Sequence, residues 1–293
     1  MMMPLAQPCT EIGKTTRLSF GGVEVELLAD TALSLPDTHL ACVPSGSTPT
    51  GTPRVVCSVN TDASLLGERR ETRAITLSDD GDCLKTPGGR LRLSKTGARC
   101  WVASGRVAPS ETALGALLEG LTAAVLELSG GLVMHAAGVE LDGKAYLFVG
   151  PSGAGKTTAA GQVFGGRSFT VDRVALCISA HGAEAWALPG GTKPDEIAPP
   201  SAHARLPLGG VLRVVQASRV LALELASHQA LLVLRESILT TNSSQGAEER
   251  RLDAIQHFLS PAPIVRLEFG LGAPLAHSLR SLESRATRPR ETP

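Results

Sequence analysis

The run Gly150-Pro151-Ser152-Gly153-Ala154-Gly155-Lys156-Thr157 reads G-x-x-x-x-G-K-[ST], with Thr158 directly after it. It is entered from the apolar run Tyr146 to Val149 and leaves into a predicted helix, the strand–loop–helix context in which this pattern cradles phosphate. Glycines let successive backbone N–H groups converge on phosphate oxygens, and a helix start adds partial positive charge. On this reading Lys156 reaches the β- and γ-phosphates of ATP or another NTP, and the Thr157 hydroxyl holds Mg²⁺. The nucleotide-binding set is therefore Gly150, Pro151, Ser152, Gly153, Ala154, Gly155, Lys156, Thr157 and Thr158.

Asp172 lies sixteen residues beyond Lys156, inside the apolar run Ser168 to Ser179, which reads as one strand. An ionised carboxylate there needs a cation or strong donors, which Mg²⁺, a substrate hydroxyl or Arg173 could supply. His135 is drawn in by register. Asp142-Gly143 is a type I′ hairpin signal between His135–Leu141 and Lys144–Val149, and closing on it sets Leu141 against Lys144 and His135 against Gly150. There His135 would contact phosphate or tune Asp172, or else be a core histidine beside Met134. Lys193, in Gly190-Gly191-Thr192-Lys193-Pro194, reads as a solvated loop lysine more than a substrate contact. No G-x-S-x-G, H-E-x-x-H or metal-ligand histidine spacing is present, so hydrolase and zinc-protease chemistry have no residues to stand on.

The elements that position these residues fall into two halves. From Thr16 to about Ala103, short apolar runs at Val23–Leu28, Arg54–Val59, Arg73–Leu77, Leu91–Leu93 and Cys100–Val102 alternate with turn residues and predict an antiparallel β region. Ser45 to Pro53 reads as an exposed loop. Leu114, Leu117, Leu118, Leu121, Val125 and Leu128 repeat at helical spacing, and Gly130-Gly131 stops the helix they predict. Beyond the hairpin and the Gly150 loop, a helix is expected at Thr157–Phe164. Strands are expected at Gly210–Val215 and Ile264–Phe269, and helices at about Ala217–Thr240 and Ala247–Leu259. The expected organisation is a β-rich region over 1–108, a candidate for substrate recruitment, a nucleotide-binding domain over 109–283, and a polar flexible tail over 284–293.

Composition narrows the function classes. The chain has 293 residues, with 28 Lys+Arg balancing 28 Asp+Glu, so no net field favours nucleic acid or an anionic membrane. Aromatics at 3% leave no stacking ladder for bases, while 43% hydrophobic residues suffice for a buried core. Six scattered cysteines without a C-x-x-C pair, no charged leader and no long apolar run predict a cytoplasmic protein with reduced thiols.

Met134-His135-Ala136-Ala137, the Gly150–Thr157 loop, Val171-Asp172-Arg173-Val174 and Ala262-Pro263-Ile264-Val265-Arg266-Leu267-Glu268-Phe269 occur in that order. Together they resemble the kinase domain of the HPr kinase/phosphorylase family in its reduced, HPr-kinase-like branch, over Gly131 to about Leu282. The resemblance implies an α/β (α+β) chain whose P-loop kinase core is of HPr kinase and phosphoenolpyruvate carboxykinase type, beside the mostly antiparallel N-terminal region. It implies an ATP- and Mg²⁺-dependent kinase acting on a serine-type hydroxyl, with Asp172, His135 and Lys156 as catalytic residues and Thr157 and Asp172 on the metal. Relatives carry two adjacent acids where this chain has Val171 and Asp172, and a glycine-rich segment of true HPr kinases is replaced by Pro189 to Pro200. The implied substrate is thus a peptide or small protein other than HPr; the alternative is a nucleotide-binding regulatory or scaffold protein. Self-association into a homo-oligomer stays open.

Overall fold

A computed structural model describes residues 9–12, 15–31, 33–36, 53–68, 75–163, 166–170, 172–179, 182–188, 205–241, 244–259, 263–272 and 274–286. Val171, Lys193 and the 45–52 stretch lie outside these residues. The chain is mixed α/β and divides into two compact units, Met1–Ser129 with Thr240–Arg250, and Gly130–Leu239 with Arg251–Pro293. The division therefore falls after the long helix, not at 108/109, because that helix packs its apolar stripe on the first unit's strands.

The first unit contains β1 (Cys9–Ile12), β2 (Thr15–Phe20), β3 (Val23–Ala29), β4 (Leu33–Pro36), β5 (Arg54–Thr61), α1 (Leu65–Glu68), β6 (Thr76–Leu77), β7 (Cys83–Thr86), β8 (Gly89–Gly97), β9 (Cys100–Val107) and α2 (Glu111–Leu128). Seven strands form one sheet in the order β2-β3-β5-β9-β8-β7-β6. The outer pairs are antiparallel as expected, but β3, β5 and β9 run parallel to one another at the centre. Burial alternates strictly along β5, with Val55, Cys57 and Val59 inward and Arg54, Val56 and Ser58 outward, the period of a sheet covered on one face. The cover is α2, whose Leu114, Leu117, Leu118 and Leu121 are fully buried; burying each contributes roughly 1.5–3 kcal/mol. Ser110 caps this helix by accepting the Ala113 N–H at 3.2 Å, and Gly130 ends it at φ 82°.

The second unit contains β10 (Leu132–His135), β11 (Ala137–Leu141), β12 (Lys144–Val149), α3 (Lys156–Gly161), β13 (Arg167–Thr170), β14 (Arg173–Ser179), β15 (Gly182–Ala187), β16 (Arg205–Gln216), β17 (Leu221–Glu224) and α4 (Ser227–Ser237). α5 (Gln245–Leu259) joins it from Arg251 onward, followed by β18 (Ile264–Phe269) and α6 (Leu275–Ala286). The last of these carries helix three residues into the segment read as a flexible tail. The hairpin closes as its dipeptide demands: Asp142 and Gly143 adopt φ 51° and 76°, and Leu141 pairs with Lys144. β12, β16 and β18 are mutually parallel and central. They are buried on both faces, one against Leu234, Ile255 and Phe258, the other against Ala159, Leu275 and Leu279. This is why Tyr146–Val149 reads as an unbroken apolar run.

Two expected elements are resolved differently. The 217–240 stretch is not one helix: Leu221–Glu224 is a strand paired with β18, and the helix begins at Ser227. Ser168–Ser179 is likewise two strands, β13 and β14, and Asp172 lies in the break between them.

Candidate functional site

The Gly150–Thr157 loop leaves β12 beside the carboxyl ends of β16 and β18, the end of a parallel sheet where ligands lodge. Gly150, Gly153 and Gly155 take φ of 146°, 78° and 93°, a conformation open to glycine and costly to residues with a Cβ. Gly155 also faces Phe269, the last residue of β18: a Cβ added there would meet the ring at 3.2 Å. From the end of β16, Gln216 donates its Nε2–H to the Gly153 carbonyl at 3.2 Å, so both neighbouring strands brace the loop. Sequence reasoning missed Gln216 and Phe269, whose only signal is their place at the C-termini of strands that had to be parallel to β12.

Lys156 opens the six-residue helix α3 and folds back over the loop, where its ammonium donates to the carbonyls of Gly150 at 2.9 Å and Pro151 at 3.1 Å. Burial lowers its pKa below the ordinary lysine value, and the Asp172 carboxylate acts in the opposite sense. The lysine and the aspartate thus share one electrostatic neighbourhood. Thr157 and Thr158 are exposed on the first turn of α3.

Asp172 stands in a different setting from the apolar strand interior expected of it. Its side chain is 39% exposed, with Oδ1 2.9 Å from His135 Nδ1 and Oδ2 3.3 Å from Arg173 Nε. A break between strands, not burial, presents the carboxylate. An ionised carboxylate only accepts, so Nδ1 of His135 carries the shared proton. His135 reaches this position by a route other than the one read from the hairpin. The β11–β12 register stops at Ala137 opposite Phe148, and the chain then leaves the ladder at Ala136, whose N–H donates to the Asp172 carbonyl at 3.0 Å. His135 belongs to β10 and pairs with Arg173 of β14, not with Gly150. The expected contact with Asp172 is made, and its histidine is half-exposed rather than sealed in the core.

The structure thus brings together the loop, Lys156, Asp172 and His135, and adds Arg173 and Gln216. Among the described residues, no three or more His, Cys, Asp or Glu side chains come together in a way that could hold a metal ion. Among them, too, no helix is long and apolar enough to cross a membrane.

Comparison with known proteins gives a sequence match over residues 117–250 to the family described as SynChlorMet cassette protein ScmC. No curated protein matches the chain. Among solved structures, the HPr(Ser) kinase/phosphatase from Coxiella burnetii is similar over 52% of this chain and 98% of its own, at 10% identity and a TM-score of 0.31. The chain is therefore similar in part to the ScmC cassette family and bears a weak, fold-level resemblance to an HPr kinase.

Proposed function

We propose that this chain is an ATP- and Mg²⁺-dependent phosphotransferase that phosphorylates a serine-type hydroxyl on a peptide or small protein other than HPr. The observation that carries the reading is the placement of Lys156. Its ammonium is partly desolvated, held over the loop by two backbone carbonyls, and in the field of Asp172. A triphosphate offers that ammonium better partners than carbonyl dipoles do. The loop N–H groups and Lys156 would hold the phosphates, while Thr157 and Asp172 would hold the metal, which neutralises charge on the phosphates when bound. His135, through Nδ1–H, fixes the Asp172 carboxylate so that it can receive the proton of an incoming hydroxyl. The matching family is named for a cassette, which fits a substrate encoded beside the kinase.

A second reading, a nucleotide-binding regulator without phosphoryl transfer, is favoured by one feature. Both oxygens of Asp172 already have partners, and Val171 stands where relatives of the resembled family carry a further acid. One experiment tests both: single-turnover transfer from γ-labelled ATP with Mg²⁺ and candidate peptides, beside calorimetric ATP titration. Lys156→Ala should lose nucleotide binding. Asp172→Asn should keep most binding and lose transfer by about a hundredfold or more. Unchanged ATP binding in Lys156→Ala would overturn the nucleotide site. A wild type that binds ATP without transfer, rescued by Val171→Asp, would favour the regulator.

A further inference from the structure

The carboxyl end of β18 presents a leucine to solvent close to the glycine-rich loop. Among the described residues Leu271 is 88% exposed, whereas the other exposed large apolar side chains lie between 37% and 49%. A lone exposed leucine needs no explanation in general, so its setting decides. The turn that carries it is held by its backbone. β16 and β17 flank β18 on either side, so residues 217–220 pass across the carboxyl end of β18. There Ala217 donates its N–H to the Phe269 carbonyl at 2.8 Å, and a Cβ on Gly270 would stand 2.7 Å from the Ala217 carbonyl oxygen. Gly272 then takes φ 78° before α6 begins. Leu275 and Leu279 of α6 share a buried cluster with Phe269 and with Ala159 and Ala160 of α3. The chain therefore leaves β18 on the face of the sheet that carries the helix following the loop.

We propose that Leu271 is the platform for the nucleobase of the nucleotide held on the loop, an assignment that rests on the nucleotide reading above but not on phosphoryl transfer. Its basis is the direction in which the nucleotide must lie. Lys156, which reaches the β- and γ-phosphates, is in the field of Asp172. Asp172 follows β13, which joins β12 through β11, so the terminal phosphate points to that flank of the loop. The ribose and base then extend over the opposite flank, towards β16 and β18. β18 is two strands from β12, roughly 10 Å at about 4.8 Å per strand, a span that a nucleoside covers. Gly155, where a Cβ would meet Phe269 at 3.2 Å, ties the loop to the end of β18, and Leu271 lies two residues beyond that phenylalanine. The flat faces of a base are weakly hydrated and gain by contact with an aliphatic side chain, which takes a base without reading its edges. The site's ligand is thus a nucleoside triphosphate rather than a bare polyphosphate.

The test is calorimetric titration of the full-length protein with ATP and Mg²⁺ and, separately, with inorganic tripolyphosphate and Mg²⁺, a ligand without ribose or base. Leu271→Ser should weaken ATP binding about fivefold or more and leave tripolyphosphate binding unchanged. Leu271→Met, which keeps an apolar surface, should bind ATP as wild type does. Lys156→Ala should weaken both ligands. Unchanged ATP affinity in Leu271→Ser, or an equal loss for both ligands, would overturn the base platform and leave the phosphate loop standing. Binding of neither ligand by wild type would overturn the nucleotide reading itself, and the platform with it.

Discussion

Each unit has three parallel strands at the middle of its sheet, yet the two trios end differently. In the first unit, the carboxyl ends of β3 and β5 meet at Asp30, whose carboxylate accepts from the Thr61 N–H at 3.0 Å. The Asp62 N–H donates to the Val107 carbonyl at 2.9 Å, and Ser64 and Arg106 hold the Asp62 carboxylate. These ends close on themselves. In the second unit the corresponding ends carry a glycine-rich loop braced from outside by Gln216 and Phe269, with a lysine lying across it. The lesson is that parallel topology offers a place for a ligand, and the connecting loop decides whether the place is used. Coverage differs as well. The trio around the loop is packed on both faces, which fixes the strand ends that carry the loop; along β5 of the other trio, buried and exposed residues alternate one by one.

The comparison can be broken most forcefully in the cores. Phe148→Ala, in the doubly covered β12, should cost about 3–5 kcal/mol in urea denaturation, whereas Val56→Ala on the open face of β5 should stay within about 0.5 kcal/mol. Equal costs would mean the two sheets are not covered differently. Next, Gly155→Ala forces a Cβ into left-handed backbone and against Phe269, which should cost about 1–2 kcal/mol and reduce ATP affinity about tenfold or more by calorimetry. A substitution without effect would show that the loop is not held in this conformation. Smaller again is Gln216→Ala, which removes one hydrogen bond worth about 1 kcal/mol, or about fivefold in nucleotide affinity. Gln216→Glu, unable to donate, should match it. The gentlest probe is Cys57, whose thiol burial pushes up to about 12 from 9.0. The unfolded thiol ionises first, so as pH rises from about 9 towards 12 the folded state loses relative stability. Urea midpoints between pH 8 and 11 should therefore fall more steeply for wild type than for Cys57→Ala.

How legible the molecule is in its sequence depends on whether the signal is local. The type I′ turn at Asp142-Gly143, the helix stripe from Leu114 to Leu128, the strand Ile264–Phe269 and the glycine-rich loop are each specified by neighbours in the chain, and each appears where expected. The parallel pairing of β3, β5 and β9 is not, because adjacent runs separated by turn residues suggest hairpins, and crossovers leave no local mark. Leu221–Glu224 is built of helix-forming residues and becomes a strand only because β18 offers an edge. The departure of the chain at Ala136, which carries His135 to Arg173 and Asp172, likewise depends on where β14 lies, so extending the hairpin register through it put His135 in the wrong ladder. Asp172 was found as a candidate because a carboxylate is unusual in an apolar run, and His135 through the hairpin register; their partnership through β10 and β14 required the fold.

The return of Thr240–Arg250 to the first unit has a consequence for inheritance. Leu77 donates its N–H to the Thr241 carbonyl at 2.6 Å, and the Thr241 hydroxyl donates to the buried Glu127 carboxylate at 2.8 Å. A stretch that lies late in the chain therefore completes a body built early in it. A recombination event that swapped the first 129 residues for those of another protein would remove Glu127 and leave the Thr241 hydroxyl without its acceptor. An exchange of sequence at residue 129 would therefore break a contact that only the return of residues 240–250 completes. A transplant of residues 130–239 onto another first unit would have to carry residues 240–250 and an acceptor for Thr241 together.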